Sequence, residues 1–345
     1  MIISRTPYRI SFFGGGTDYP AWYREHGGAV LGTTIDKYSF ITCRSLPPFF
    51  DHAHRVVYSR IEHVNSVEEI QHPSVRACLQ HMGIDKGMEI HHDGDLPART
   101  GMGSSSSFTV GLLHALHALQ GRMAGKMELA QEAIFVEQEL IGENVGCQDQ
   151  VLAAIGGFNR IDFSPNGDIR PTPVILPNQR LQELEQHLML IYTGISRYSS
   201  NVAAKVIEVA RQGNRDLATM QQMVDEALAL LTGKADIAEF GKLLHETWQL
   251  KRGLSTSIAT SEVDALYETA RSAGAIGGKL LGAGGGGFFL LFARPEDQPR
   301  IKQQLNSVLH VPFRFDTTGS EIIYYNSTTQ RTYEELVGSP TSTSA

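Results

Sequence analysis

The sequence predicts an α+β protein of two domains, and three observations carry that reading. Strand-like and helix-like stretches mix along the chain without a regular strand–helix–strand alternation. At 345 residues the chain is long enough for two ordinary domains. A proline-rich stretch, Arg170 to Pro177, interrupts the pattern near the middle. The boundary is placed there, giving a first domain over 1–178 and a second over 179–337. The remaining residues, 338–345, are small and polar and read as a disordered tail.

The elements follow in order. Ile2, Ile3 and Arg9 to Phe13 read as a first strand, which runs into Gly14-Gly15-Gly16-Thr17-Asp18. Three consecutive glycines force a sharp turn and expose backbone to a ligand. Val30 to Phe40 alternates as a second strand, Val56 to Ile61 as an edge strand, and His72 to Met82 as a helix. Met88 to His92 is a short strand before Leu96-Pro97-Ala98-Arg99-Thr100-Gly101-Met102-Gly103-Ser104-Ser105-Ser106-Ser107. Phe108, Leu112, Leu116 and Leu119 then recur at helical spacing. Lys126 to Gly142 reads as a second helix and Asn144 to Ile155 as a third. In the second half, Leu188 to Thr193 is a buried strand, and helices follow over 200–211, 217–231, 237–250 and 263–272. Lys279 to Gly287 reads as a glycine turn that brings backbone close to another loop or a ligand, or else as a tight αβ connection, before the strand Phe288 to Phe292. A helix over 301–309 and strands over 311–315 and 321–325 complete the pattern.

Composition excludes several function classes. The formal net charge of −7 argues against a nucleic-acid-binding face. No apolar run approaches membrane-spanning length, and the N-terminus shows no signal-peptide pattern. Cys43, Cys78 and Cys147 are widely spaced, which fits neither a zinc site nor a disulfide framework. A cytoplasmic protein is expected, with no membrane and no nucleic acid among its partners. The histidines form no metal-binding spacing, and Cys147 reads as buried rather than nucleophilic.

The loop at 96–107 carries the first chemical signal. A glycine- and serine-rich loop that opens a helix offers free N–H groups and the positive helix end to an anion, so it reads as a phosphate cradle. There is no GxxxxGK[ST] run, so this is no P-loop. Gly282 to Gly287 fits GxGxxG as a bare pattern, but a strand follows where a dinucleotide site requires a helix.

Together with their order, the motifs identify a resemblance. Pro7 to Tyr19, Pro97 to Ser107 and Lys279 to Gly287 resemble the three motifs of the GHMP kinases, and Glu137 to Gln150 resembles the segment that carries that family's catalytic aspartate. The resemblance spans nearly the whole chain. It implies an N-terminal domain like the second domain of ribosomal protein S5, a ferredoxin-like C-terminal domain, and an active site between them. It also implies transfer of the terminal phosphoryl group of ATP to a small molecule, with Mg²⁺.

The resemblance assigns residues as well. Pro97, Arg99, Gly101, Met102, Gly103, Ser104, Ser105 and Ser106 would hold the triphosphate. Ser105 and Glu137 would contact Mg²⁺, which takes oxygen ligands. Asp149 would take or orient the proton of the acceptor hydroxyl, and Arg9 would hold that carboxylate and stabilise the transferring group. Gly15, Gly16, Thr17, Asp18, Gly284 and Gly285 would face the substrate. Gly15 and Gly16 stand where galactokinases carry Glu-His, so room is left for a different sugar. The combination Arg9 to Asp18, with Met102 and Thr193 to Arg197, resembles the branch that phosphorylates the anomeric hydroxyl of D-glycero-D-manno-heptose 7-phosphate for surface polysaccharide. Arg197 is the leading receptor for the sugar's phosphate, ahead of Arg99, Lys205 and Arg252. A fucokinase-like sugar 1-kinase is the alternative, and a non-catalytic sugar- and ATP-binding sensor a third. The expected partners are a sugar phosphate and ATP, with the chain a monomer or homodimer.

Overall fold

The computed structural model describes residues 1–195 and 199–326, with 199–201 as backbone alone. Arg197 and the 338–345 tail lie outside the described residues. The first half runs β1 (Ile2–Phe13), α1 (Pro20–His26), β2 (Gly28–Ser45), β3 (His54–Val57), β4 (Ile61–Val64), α2 (Pro73–His81), β5 (Met88–Gly94), α3 (Ser104–Leu119), α4 (Lys126–Phe135), α5 (Gln148–Ile155), β6 (Asn159–Phe163) and β7 (Ile169–Pro173). The second half runs α6 (Asn178–His187), β8 (Leu188–Tyr192), α7 (Ser199–Arg211), α8 (Arg215–Thr232), α9 (Ala238–Gly253), α10 (Ser261–Ser272), β9 (Gly277–Leu280), β10 (Phe288–Phe292), α11 (Gln298–Gln304), β11 (Leu309–Val311), β12 (Phe315–Asp316) and β13 (Glu321–Tyr325).

The α+β class holds, with strands in two sheets. The larger has the path β13-β1-β2-β5-β3-β4, with β12 and β6 also on the long β2 and β7 on β6. The smaller is an antiparallel sheet in the order β11-β8-β10-β9. Helix α3 lies across β1 and β2. Of the expected stripe, Phe108, Leu112 and Leu116 are buried in one cluster with Ile41, Cys43 and Ile90, and Leu119 is half-buried at its edge.

Two further features position the cleft. The chain's last described strand returns to the first sheet, where β13 pairs antiparallel with β1 and Arg5 meets Glu321 at 2.6 Å. The two sheets also share one apolar core. Phe12 and Phe13, at the end of β1, pack edge-on against Phe240 of α9 with ring centroids 5.6 and 5.1 Å apart. Leu190, Val224 and Phe288 join the same cluster. Because β1 ends in this seam, the glycine turn that follows it opens beside the second sheet.

Helix α4 ends at Phe135 and continues as one wider π turn over Val136–Leu140. Such turns are rare and frequently lie at functional sites. Here the turn buries Glu137 completely while Leu140 faces outward.

Candidate active site

The loop before α3 is built for close approach. Gly103 occupies the N-cap position at φ +73° and supplies no capping side chain, so the first N–H groups of the helix have no side-chain partner there. Gly101, Gly103, Ser104, Ser105 and Ser106 line one cavity together with Arg99. Arg99 itself stands at φ +62°, and its N–H donates to the Ser104 hydroxyl at 3.1 Å. A non-glycine residue held in the left-handed region is costly by about 1–3 kcal/mol and marks a backbone fixed by its surroundings. Two residues expected at the nucleotide do not line this cavity. Met102 is fully buried beside Tyr8, Ile10 and Leu96, and its carbonyl accepts the Arg9 N–H. The Pro97 carbonyl accepts the Thr100 hydroxyl at 2.7 Å. Both brace the loop from behind.

Arg9 and Asp149 meet across this loop. The Arg9 Nε and Nη2 groups each donate to one Asp149 oxygen at 2.7 Å, and Nη1 donates to the Gly101 carbonyl at 2.7 Å. The two-pronged contact fixes the carboxylate plane. Arg9 is buried, whereas a quarter of the Asp149 side chain stays exposed, and both line the cavity.

The turn after β1 forms the next wall. Gly15, Gly16 and Asp18 line the cavity. The Asp18 carboxylate is buried and accepts the Gly16 N–H at 3.0 Å and the Gln148 N–H at 3.3 Å. Burial, and then the charge of Asp149, raise its pKa. Thr17 does not reach the cavity, because its hydroxyl donates to the Gly14 and Ala29 carbonyls and closes the turn. Gly146 presses on Asp18 so closely that a Cβ there would lie 1.9 Å from Oδ2. Ser11 Oγ and Gln148 Oε1 are buried without a protein partner, and both residues line the cavity. Buried polar atoms are ordinarily satisfied, so these two stand out on the cavity wall.

Glu137 lies one layer deeper. Its carboxylate accepts the Thr109 hydroxyl at 2.8 Å, the Ser106 hydroxyl at 2.8 Å and the Gln150 amide. Burial pushes its pKa up to about 7. Among the described residues no cation pairs with it. A buried carboxylate without a countercharge, one hydrogen bond behind cavity-lining Ser106 and next to the exposed Ser105, has the chemistry of a hard-cation ligand.

The third motif closes the site from the second sheet. Gly101 and Gly282 meet backbone to backbone: a Cβ on Gly101 would lie 2.3 Å from the Leu281 carbonyl oxygen, and one on Gly282 would lie 2.4 Å from the Gly101 Cα. Gly282 and Ala283 line the cavity. Gly284 and Gly285, expected at the substrate, instead pack on Ile258, whose carbonyl accepts the Gly285 N–H at 2.9 Å. Of the weaker cation candidates, Arg99 lines the cavity, Lys205 is exposed elsewhere on α7, and Arg252 is paired with Asp264 at 3.0 Å.

Two cations that the motif reading left without a role also line the cavity, Lys251 and Lys279. Their signals are in the sequence. Lys251 falls on the apolar stripe of α9 with Leu244, Thr247 and Trp248, and Lys279 sits inside a fully buried strand. A lysine at a core position is the informative exception.

The sequence profile described as GHMP kinases N terminal domain matches residues 69–157, and that described as GHMP kinases C terminal matches 226–311, together half of the chain. The chain belongs to the GHMP kinases. It is accordingly an ATP-dependent kinase. Among its relatives, a D-glycero-alpha-D-manno-heptose 7-phosphate kinase of Campylobacter jejuni is 28% identical over 309 residues, covering 85% of this GHMP kinase and 90% of the relative. A bifunctional fucokinase/GDP-fucose pyrophosphorylase of Arabidopsis thaliana is 26% identical over 87% of the chain, which matches 30% of that longer protein. In fold, a crystal structure of a D-glycero-D-manno-heptose 1-phosphate kinase from Bacteroides thetaiotaomicron superposes with a TM-score of 0.75 at 24% identity, covering 95% of this chain and all of that one. Among the described residues no helix is long and apolar enough to cross a membrane.

Proposed function

We propose that this GHMP kinase is a sugar kinase that phosphorylates the anomeric hydroxyl of a heptose 7-phosphate. The observation that carries the reading is the Arg9–Asp149 fork, set between the uncapped start of α3 and the glycine turn of Asp18. The similarity to the Campylobacter jejuni relative supports the sugar class.

In this reading Gly101, Gly103, Ser104 and Ser105 hold the polyphosphate through backbone N–H groups and hydroxyls. Asp18, with Ser11 and Gln148, orients the sugar. The acceptor oxygen forms a bond to the terminal phosphorus of ATP, the bond from that phosphorus to the bridging oxygen breaks, and ADP leaves. The hydroxyl proton passes toward Asp149, whose carboxylate Arg9 holds in place. Arg9 also offers positive charge to the group in transit. Ser105 and Glu137 would hold Mg²⁺, which neutralises phosphate charge when bound. The product would supply an activated sugar for polysaccharide synthesis, and the protein would act in the cytoplasm as a monomer or homodimer.

The similarity to fucokinases favours one second reading, a sugar 1-kinase that takes an unphosphorylated sugar. The experiment is a screen of ATP with heptose 7-phosphate, the free heptose and L-fucose, following ADP release and locating the new phosphate by ³¹P NMR. Turnover of the sugar phosphate to a 1,7-bisphosphate supports the first reading. Equal or better turnover of L-fucose replaces it with the second.

A further inference from the structure

Lys251 and Lys279 approach the cavity from α9 and β9. Both are more than nine-tenths buried, with 9% and 2% of their surface exposed. The Lys251 ammonium donates to the carbonyls of Leu280, at 2.9 Å, and Gly282. The Lys279 ammonium donates to the Phe12 carbonyl at 2.8 Å. An ammonium carries three donors. In their protonated forms, one N–H of Lys251 and two of Lys279 therefore remain unassigned within the protein. Among the described residues, neither lysine forms an ion pair.

This is an unusual wall. Three basic side chains, Arg9, Lys251 and Lys279, stand close enough to act on one another electrostatically. Arg9 has Asp149 as its partner. Asp18 is the carboxylate that acts on both lysines, but its oxygens accept N–H groups from Gly16 and Gln148. Buried charge is costly unless paired. Burial first, and then Arg9, lower Lys251 to about 7. Burial, then Lys251 and Arg9, hold Lys279 well below the ordinary lysine range. Bracing the glycine turn asks for one donor per carbonyl, which a neutral side chain would supply; it does not ask for two ammonium groups side by side. What the pair lacks is an anion, and the cavity it faces is the one assigned to phosphate chemistry.

We propose that Lys251 and Lys279 form a buried two-lysine receptor for a phosphoryl oxyanion, brought either by the acceptor sugar's own phosphate or by the group in transit from ATP. The inference rests on the sugar-phosphate kinase reading. It supplies that reading with a receptor drawn from the described residues, a role the sequence analysis gave to Arg197. The oxyanion pairs with the protonated lysines and accepts their remaining N–H groups, so its arrival favours protonation.

Calorimetry on the full wild-type chain at pH 8, in two buffers of different ionisation enthalpy, reads this directly. A sugar phosphate has a second pKa of about 6, so it carries little proton of its own at that pH. Proton uptake on binding is expected. Uptake with heptose 7-phosphate but not with free heptose assigns the acceptor's phosphate. Uptake with a non-hydrolysable ATP analogue but not with ADP assigns the transferring group. Buffer-independent heats for every ligand overturn the proposal. So does uptake that survives in both Lys251→Met and Lys279→Met, since it would then belong to Asp18. Steady-state kinetics of the same variants gives a second readout. An acceptor receptor raises KM for heptose 7-phosphate by about tenfold or more with kcat nearly kept, while a transferring-group receptor lowers kcat by about a hundredfold with KM kept. Variants that fold and keep both constants within about twofold overturn the proposal. If heptose 7-phosphate neither binds nor is phosphorylated, the substrate reading fails, and the ATP-analogue arm alone decides the receptor.

Discussion

At the scale of single residues, function depends on which groups move a proton and which hold charge still. Asp149 keeps both oxygens on Arg9 yet remains open to the cavity. Asp149→Asn is expected to lower kcat by about 10²- to 10⁴-fold, while affinity for an ATP analogue, measured by calorimetry, changes little. Unchanged turnover would remove Asp149 from the chemistry. Glu137 makes a different prediction. Its folded pKa of about 7 lies above the 4.5 of an ordinary glutamate. The folded state therefore binds this proton more tightly than the unfolded chain. The stabilising contribution is fully present below about pH 4.5 and is lost as the pH rises through about 7. Melting temperatures of metal-free protein are expected to show this decline, and Glu137→Gln to flatten it. Added Mg²⁺ at pH 8 should stabilise the wild type more than that variant; equal responses would take the cation away from Glu137. Asp149, Arg9 and Asp18 were legible because each falls inside an ordered motif. Lys251 was not, since no motif surrounds it and only its place on an apolar helix stripe sets it apart.

At the scale of elements, the site depends on two glycine turns from different sheets touching through backbone atoms. Spacing alone marked both turns as places of close approach, but not what each approaches. The family resemblance put Gly284 and Gly285 at the substrate, whereas Gly282 and Ala283 are the residues at the cavity. Gly282→Ala and Gly101→Ala each place a Cβ within 2.4 Å of opposing backbone at positive φ. Each is expected to destabilise the protein by about 1–3 kcal/mol and to weaken ATP-analogue binding by about tenfold or more. Gly142→Ala is the control. It has the same positive φ but nothing within 4 Å, so nucleotide affinity should be kept. Equal losses of affinity in all three variants would contradict the role of the contact.

At the scale of the whole molecule, the two halves are joined by a common core around Phe12, Phe13 and Phe240 and by the return of β13 to β1. Periodicity identified most of the strands and helices. It did not identify their partners, because pairing between residues three hundred positions apart leaves no local pattern. A shared core makes the halves unfold together. A single calorimetric transition is expected, and Phe12→Ala should lower it as one unit, by about 3–5 kcal/mol of stability. Two separable transitions in the wild type would contradict the shared core. The cleft between the halves is where the loop before α3, the Arg9–Asp149 fork and the glycine turn of Asp18 converge, and in the proposed reaction a phosphoryl group crosses it to a sugar. The most direct measurement is ³¹P NMR of the full chain with ATP, Mg²⁺ and heptose 7-phosphate. A new anomeric phosphate signal is expected, growing in step with ADP and almost absent with Asp149→Asn. ATP consumption with no phosphate transferred to the sugar, or transfer undiminished in that variant, would contradict the proposed reaction.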